Sequence, residues 1–292
     1  MAIEQFRKNT MKRRILRIAC WLVSLLLIAW IALSPRVSPS LYSERLFKPD
    51  WGKGSVEELL AFKKYENHEV YFPTRNGTQL HGWLFQNPAS NRIFLFHPGN
   101  AGDIAKRLPI IDYLLQSGAS VFIYEPRGFG LSPGKPTILG ITEDGLAAYD
   151  HLANSGYKPS QIVLYGESLG ASVATYVSSQ RTVAGIILQS GFASLERIGK
   201  EQVPALQIYP SWLFAKPRLD NAALMSKPHA PLLILHGEKD TLIDISHSEE
   251  IFSRAAAPKQ FVRFPNSGHA DVTPTDLELF IKTLSAFIER LP

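Results

Sequence analysis

The chain has 292 residues, 45% of them hydrophobic, enough to bury one large α/β domain or two small ones. Its net charge is +5, from 31 basic against 26 acidic residues. All of that excess lies in residues 1–17, where Arg7, Lys8, Lys12, Arg13, Arg14 and Arg17 face only Glu4, so the folded part has no basic bias and a nucleic-acid partner is excluded.

The first element is the apolar run Ile15 to Leu33. As a helix its nineteen residues would span about 28 Å, close to the hydrocarbon thickness of a bilayer. Basic residues crowd before it and only Arg36 follows closely. The sequence therefore predicts a basic cytoplasmic N-terminus over residues 1–14, a membrane-spanning signal-anchor over 15–33, and the remaining chain across the membrane. A cleaved signal peptide, releasing a secreted form, is the competing reading. It is disfavoured because the best small-residue site, Ala32-Leu33-Ser34, runs straight into Pro35. Cys20, the one cysteine, lies inside this run, so no disulfide and no catalytic thiol is expected beyond it.

Residues 34–65 read as a connector, with a short helix from Ser55 to Tyr65. Tyr42, Leu46, Phe47 and Trp51 are too apolar for a free tether and are expected to pack on the domain or on lipid. From residue 66 onward short β-rich runs alternate with helical stretches. Glu69 to Phe72 and Leu80 to Phe85 flank the hairpin signal Asn76-Gly77. Strands follow at Arg92 to Phe96, Ser120 to Tyr124, Ile162 to Tyr165, Ala184 to Leu188, Leu232 to Leu235 and Phe261 to Phe264. Helices are expected at Asp103 to Gln116, Ile141 to Ala153, Leu169 to Ser179, Ile245 to Ala256 and Asp276 to Glu289. Such alternation predicts a mostly parallel sheet with helices on both faces. The longest break, residues 191–230, leaves the carboxyl end of one strand, where open sheets bind ligands, and reads as a small helical lid. Its Tyr209, Trp212 and Phe214 are candidate substrate-binding residues.

Gly166-Glu167-Ser168-Leu169-Gly170 joins a strand to a helix, the context of a nucleophile elbow. The turn would expose the Ser168 hydroxyl and place the Leu169 N–H where it can stabilise an oxyanion. A serine nucleophile needs a base, and the base an orienting acid. Two later strand ends supply candidates: His236-Gly237-Glu238-Lys239-Asp240 and Asn266-Ser267-Gly268-His269. The order Ser168, Asp240, His269 makes His269 the base and Asp240 the acid, with Asp244 as a rival acid and Glu238 and Asp271 as weaker ones. His81, His151 and His236 read as structural. No spacing suggests a metal site, and no glycine motif suggests a nucleotide, so neither metal nor cofactor is expected.

These pieces, with Phe96-His97-Pro98-Gly99-Asn100-Ala101-Gly102 and Glu125-Pro126-Arg127-Gly128-Phe129-Gly130-Leu131-Ser132, resemble the α/β-hydrolases from about Tyr65 to Pro292, most of all membrane-tethered serine hydrolases. The resemblance implies an α/β-hydrolase fold with an eight-stranded sheet over residues 66–292, and hydrolysis of an acyl ester, thioester or amide of a small or lipid-like substrate through an acyl-enzyme. It also implies that the second oxyanion donor is the backbone N–H of Asn100. The family usually has His-Gly before its Asn-Ala; here Pro98 takes the place of that His, and a shifted loop would offer Ala101 instead. Glu125 stands where the family has Asp, a position that reads as structural. A peptidase on the same triad, or a tethered binding module, are the other readings.

Overall fold

The computed structural model describes residues 2–49, 62, 65–272 and 275–292. The helix expected from Ser55 to Tyr65 falls outside the described residues, apart from Phe62 and Tyr65 themselves.

The N-terminal helix α1 runs Ala2–Ala32, so the basic segment and the apolar run form one helix rather than two regions. Within its stretch Asn9–Ala32 the most apolar 18 residues have a mean hydropathy of 2.3 and none of them is buried; the stretch is long and apolar enough to cross a membrane. A short helix, α2 (Ser40–Leu46), follows in the connector. Phe47, directly after it, is buried in the core, and Lys48 bridges Ala101.

Eight strands form one sheet in the order β1-β2-β4-β3-β5-β6-β7-β8. They are β1 (Glu66–Pro73), β2 (Gln79–Gln86), β3 (Ile93–His97), β4 (Ser120–Tyr124), β5 (Ile162–Glu167), β6 (Gly185–Gln189), β7 (Leu232–Gly237) and β8 (Lys259–Phe264). β1 and β2 pair antiparallel, as does β2 with β4, and the rest pair parallel. Every residue of β3 to β7 is buried, which is why these strands read as continuous apolar runs without alternation.

Helices α3 (Leu108–Gln116), α4 (Ile138–Asn154), α5 (Leu169–Ser178), α8 (Ser246–Arg254) and α9 (Leu277–Glu289) cover the two faces. α9 turns Phe280, Leu284, Phe287 and Ile288 inward at helical spacing, and with Ile111 and Leu114 of α3 they pack one face of the sheet. Ile141, Ala148, Val173, Val177 and Ile251 pack the other. Several boundaries shift by a few residues, β1 for instance starting at Glu66 rather than Glu69, and two helix starts show how. The stretch from Asp103 begins as a 3-10 turn, Ala105–Arg107, before α3. α4 starts three residues early because the Thr137 hydroxyl accepts the Gly140 N–H as an N-cap.

The segment 191–230 contains α6 (Leu195–Gln202), 3-10 turns at Pro204–Ile208 and Ser211–Leu213, and α7 (Asn221–Met225). α6 is tied down: Arg197 reaches Glu250 at 2.7 Å and the Ser246 hydroxyl at 2.7 Å, and Glu201 accepts from His247 at 2.7 Å. Leu206, Tyr209, Leu213 and Phe214 form a separate apolar cluster against Trp30 and Ile31 of α1 and Tyr42 of α2.

Candidate active site

The parallel order brings the carboxyl ends of β3, β5, β7 and β8 to one edge, and four loops leave them there. Ser168 sits between β5 and α5 with φ 54° and ψ −117°, a strained backbone for a residue with a side chain. Gly170 permits the turn: a Cβ there would run into the carbonyl oxygens of His97 and Pro98. The Ser168 N–H donates to Gln189 O at 2.9 Å, fixing the turn to β6.

His269 arrives on the loop after β8. Its Nε2 lies 3.1 Å from Ser168 Oγ, and its Nδ1 lies 2.8 Å from Asp240 Oδ2. With the proton on Nδ1, the ring donates to Asp240 and accepts from the serine hydroxyl. The loops touch closely, since a Cβ at Gly237 would meet the carbonyls of Ser267 and Gly268. Asp276 holds the second loop by accepting from Asn266 N at 3.0 Å and from Ser267 Oγ at 2.7 Å.

Asp240 has no exposed side chain. Burial pushes its carboxyl up, but donors from His236, His269 and the Ile243 N–H outweigh that and hold it well below the usual carboxylate range. The rival acids are engaged elsewhere. Asp244 accepts the Ser246 N–H at 2.9 Å at the start of α8, Asp271 accepts from Gly268 N at 2.7 Å, and Glu238 is exposed.

His236 does more than pack at a strand end. Its Nδ1 accepts from Ser248 Oγ at 2.7 Å. Its Nε2–H lies 2.9 Å from Ile243 O and 3.2 Å from Asp240 Oδ2, a second imidazole on the same carboxylate. Glu167 was also missed as a site residue. Its carboxylate pairs with Arg107 at 2.9 Å and accepts the Gly99 N–H; burial raises its pKa, and Arg107 and His269 oppose that. It thereby stitches the loop after β3 to the elbow. The signal was its place beside Ser168, which spacing alone does not distinguish from a spectator. Glu125 and His81 are buried partners at 2.8 Å, and Glu125 accepts the Leu131 N–H at 2.7 Å, a role in holding the loop.

The loop after β3, which contains Pro98, runs close to the elbow: a Cβ at Gly99 would sit 3.5 Å from Ser168 Cβ. Asn100 lines the same cavity as Ser168 and His269, a space of about 450 Å³ that Ala101, Lys106, Arg107 and Tyr113 also border. Leu169 opens α5, so its N–H has no intrahelical acceptor. The connector holds the loop from behind: Lys48 N–H donates to Asn100 O at 2.9 Å, Gly102 N–H to Lys48 O at 3.2 Å, and Asn100 Nδ2 to Leu46 O at 2.8 Å.

The expected substrate-binding residues of segment 191–230 do not line this cavity. Tyr209 stacks on Trp30 with ring centroids 5.5 Å apart, and the exposed Trp212 gives its carbonyl to Arg36 Nη1 at 2.9 Å. Phe214 faces a second cavity. The segment crosses towards α1 rather than over Ser168, because its aromatics find apolar partners there. Among the described residues no His, Cys, Asp and Glu cluster could hold a metal ion.

The family described as alpha/beta hydrolase fold matches residues 92–215. An uncharacterized protein of Mycobacterium tuberculosis is 33% identical over 223 residues, which cover 75% of this chain and 78% of that protein. The chain belongs to the α/β-hydrolase superfamily. A further relative of this α/β-hydrolase is an uncharacterized membrane protein of Saccharomyces cerevisiae, 29% identical over 80% of this chain and 85% of its own. Among solved structures, a Pyrococcus furiosus esterase superposes with a TM-score of 0.68 at 22% identity, covering 84% of this chain and 98% of the esterase.

Proposed function

We propose that this α/β-hydrolase is a serine hydrolase that cleaves an acyl ester or thioester through a covalent Ser168 intermediate. The observation that carries this is the continuous relay from Asp240 through His269 to Ser168, at 2.8 and 3.1 Å, assembled from three strand ends.

In the proposed cycle His269 Nε2 takes the Ser168 proton as Oγ attacks the carbonyl carbon. The N–H groups of Leu169 and Asn100 stabilise the resulting oxyanion. Collapse expels the alcohol or thiol, which takes the proton from His269 and leaves Ser168 acylated. A water then gives His269 its proton, attacks the acyl group, and releases the acid with Ser168 restored. Asp240 holds the ring in the required tautomer and stabilises the imidazolium. The substrate is a small uncharged or amphipathic acyl compound. The α1 helix anchors the enzyme with its basic end in the cytoplasm and the hydrolase domain on the other side.

The test is labelling of the full chain with a fluorophosphonate probe, with the adduct located by mass spectrometry. Labelling at Ser168 that disappears in both Ser168→Ala and His269→Ala is expected. A wild-type protein that folds but takes up no probe would overturn the proposal.

A further inference from the structure

A second cavity, of about 400 Å³, lies between α2, α6 and the 3-10 turns of segment 191–230. We propose that it holds the acyl chain of a lipid delivered from the membrane, so that the reaction acts on membrane-resident acyl compounds; this rests on the serine-hydrolase reading of Ser168.

Four observations carry it. The walls are apolar, with Phe47, Ile138, Leu195, Ile198, Leu206 and Phe214 facing the space. Three of the polar side chains among the lining residues are spent on the protein itself. Tyr42 OH donates to Leu33 O at 2.7 Å, Thr137 Oγ accepts from Gly140 N at 2.9 Å, and Asn100 Nδ2 donates to Leu46 O at 2.8 Å. A wall with its hydrogen bonds already made suits a hydrocarbon and offers little to a polar ligand.

The cavity also begins where the membrane span ends. Pro35 and Arg36 line it, only a few residues past Ala32, and Arg36 N–H donates to Leu213 O at 2.8 Å, fixing the lining segment to the end of α1. Around that junction Val37, Leu41, Ile208 and Trp212 are each more than half exposed, an arrangement suited to an interfacial lipid layer. Among the described residues the lining includes Arg36, Arg45 and Lys216 and no acidic residue, so its charge suits the phosphate of a lipid headgroup. Finally, Asn100 borders both this cavity and the one containing Ser168. A chain lying in the second cavity would therefore end beside the proposed oxyanion donor, where its carbonyl carbon is needed.

The test fills the cavity without disturbing Ser168. Gly199 lines it from α6, and a Cβ there would sit 3.5 Å from Leu206 Cδ1, an ordinary contact, so the helix accepts a side chain at this position. Full-chain protein in detergent micelles is assayed with p-nitrophenyl butyrate and p-nitrophenyl palmitate. Gly199→Phe is expected to lower the palmitate-to-butyrate ratio of kcat/KM about tenfold or more, while Gly199→Ala keeps the wild-type ratio. Leu206→Trp serves as the second filling variant. Binding of the fluorescent fatty acid cis-parinaric acid is measured in parallel and is expected to be lost in both filling variants. An unchanged ratio and unchanged fatty-acid binding, in variants that melt where the wild type does, would overturn the inference. Failure of the serine-hydrolase reading looks different: wild-type protein would take no fluorophosphonate at Ser168, and the fatty-acid measurement would still decide whether the cavity holds a chain.

Discussion

At the scale of single residues, the proposed relay depends on Asp240 being kept charged in a buried place. Both ring N–H groups that reach it, from His236 and His269, favour the carboxylate, as does the Ile243 N–H. Asp240→Asn is therefore expected to leave the fold intact and to lower kcat by roughly 10³ to 10⁴-fold, since an amide no longer selects the working tautomer of His269; steady-state kinetics on a short ester checks it. His236→Phe should lower kcat less, by about tenfold, as it removes one donor and leaves the other. His97 sets a different dependence. Burial pushes its imidazole down to about 3, from an ordinary value of about 6.5. The native state thus refuses a proton that the unfolded chain accepts. The stability held in this neutral ring is complete above about pH 6.5 and is lost as pH falls from there towards 3, with a limiting slope of about 1.4 kcal/mol per pH unit. Unfolding midpoints of the wild type should fall over that range, and those of His97→Gln should fall less steeply.

At the scale of elements, the connector matters as much as the elbow. Leu46 and Lys48 make three hydrogen bonds to the loop containing Asn100, so the segment after α1 braces the proposed oxyanion donor. A chain beginning at residue 66 is expected to lose about ten- to a hundredfold in kcat against one beginning at residue 38, with KM for a short ester little changed. Equal turnover in two folded fragments would show that the loop stands alone. At the elbow, Gly170→Ala forces a methyl into the His97 carbonyl, and thermal or urea unfolding should show a loss of about 3 kcal/mol. Segment 191–230 was legible as a departure from the βα alternation, yet its role was not. The pattern Tyr209, Trp212, Phe214 reveals three aromatics but not their direction, and the partners that turn them away from Ser168 lie far off in sequence at Trp30, Arg36 and Tyr42.

At the scale of the whole molecule, charge and hydropathy separate cleanly along the chain. The positive excess lies in residues 1–17 at the start of α1, and the apolar run up to Ala32 follows it with no residue fully buried. Alkaline phosphatase fused after Pro292 is expected to be active outside the cytoplasm; activity of a cytoplasm-only reporter at the same position would reverse the orientation. The chain just past α1 also ties that helix to the hydrolase domain, because Arg36 donates to the carbonyls of Leu213 and Trp212 in segment 191–230.

The eight strands, the strand–turn–helix around Ser168, and the three residues Ser168, Asp240 and His269 that meet at the sheet edge were all legible in the residues themselves. Each depends on local chemistry: β-branched and aromatic runs bury on both faces, and a Gly-x-Ser-x-Gly turn needs its glycines whatever surrounds it. Only the tertiary structure decided which acid meets His269, that His236 touches Asp240 and Glu167 pairs with Arg107 beside it, and that the aromatic segment packs on the N-terminal helix. Those outcomes depend on distances between strand ends and loops separated by many residues, and they are set by how the whole sheet brings its carboxyl edge together.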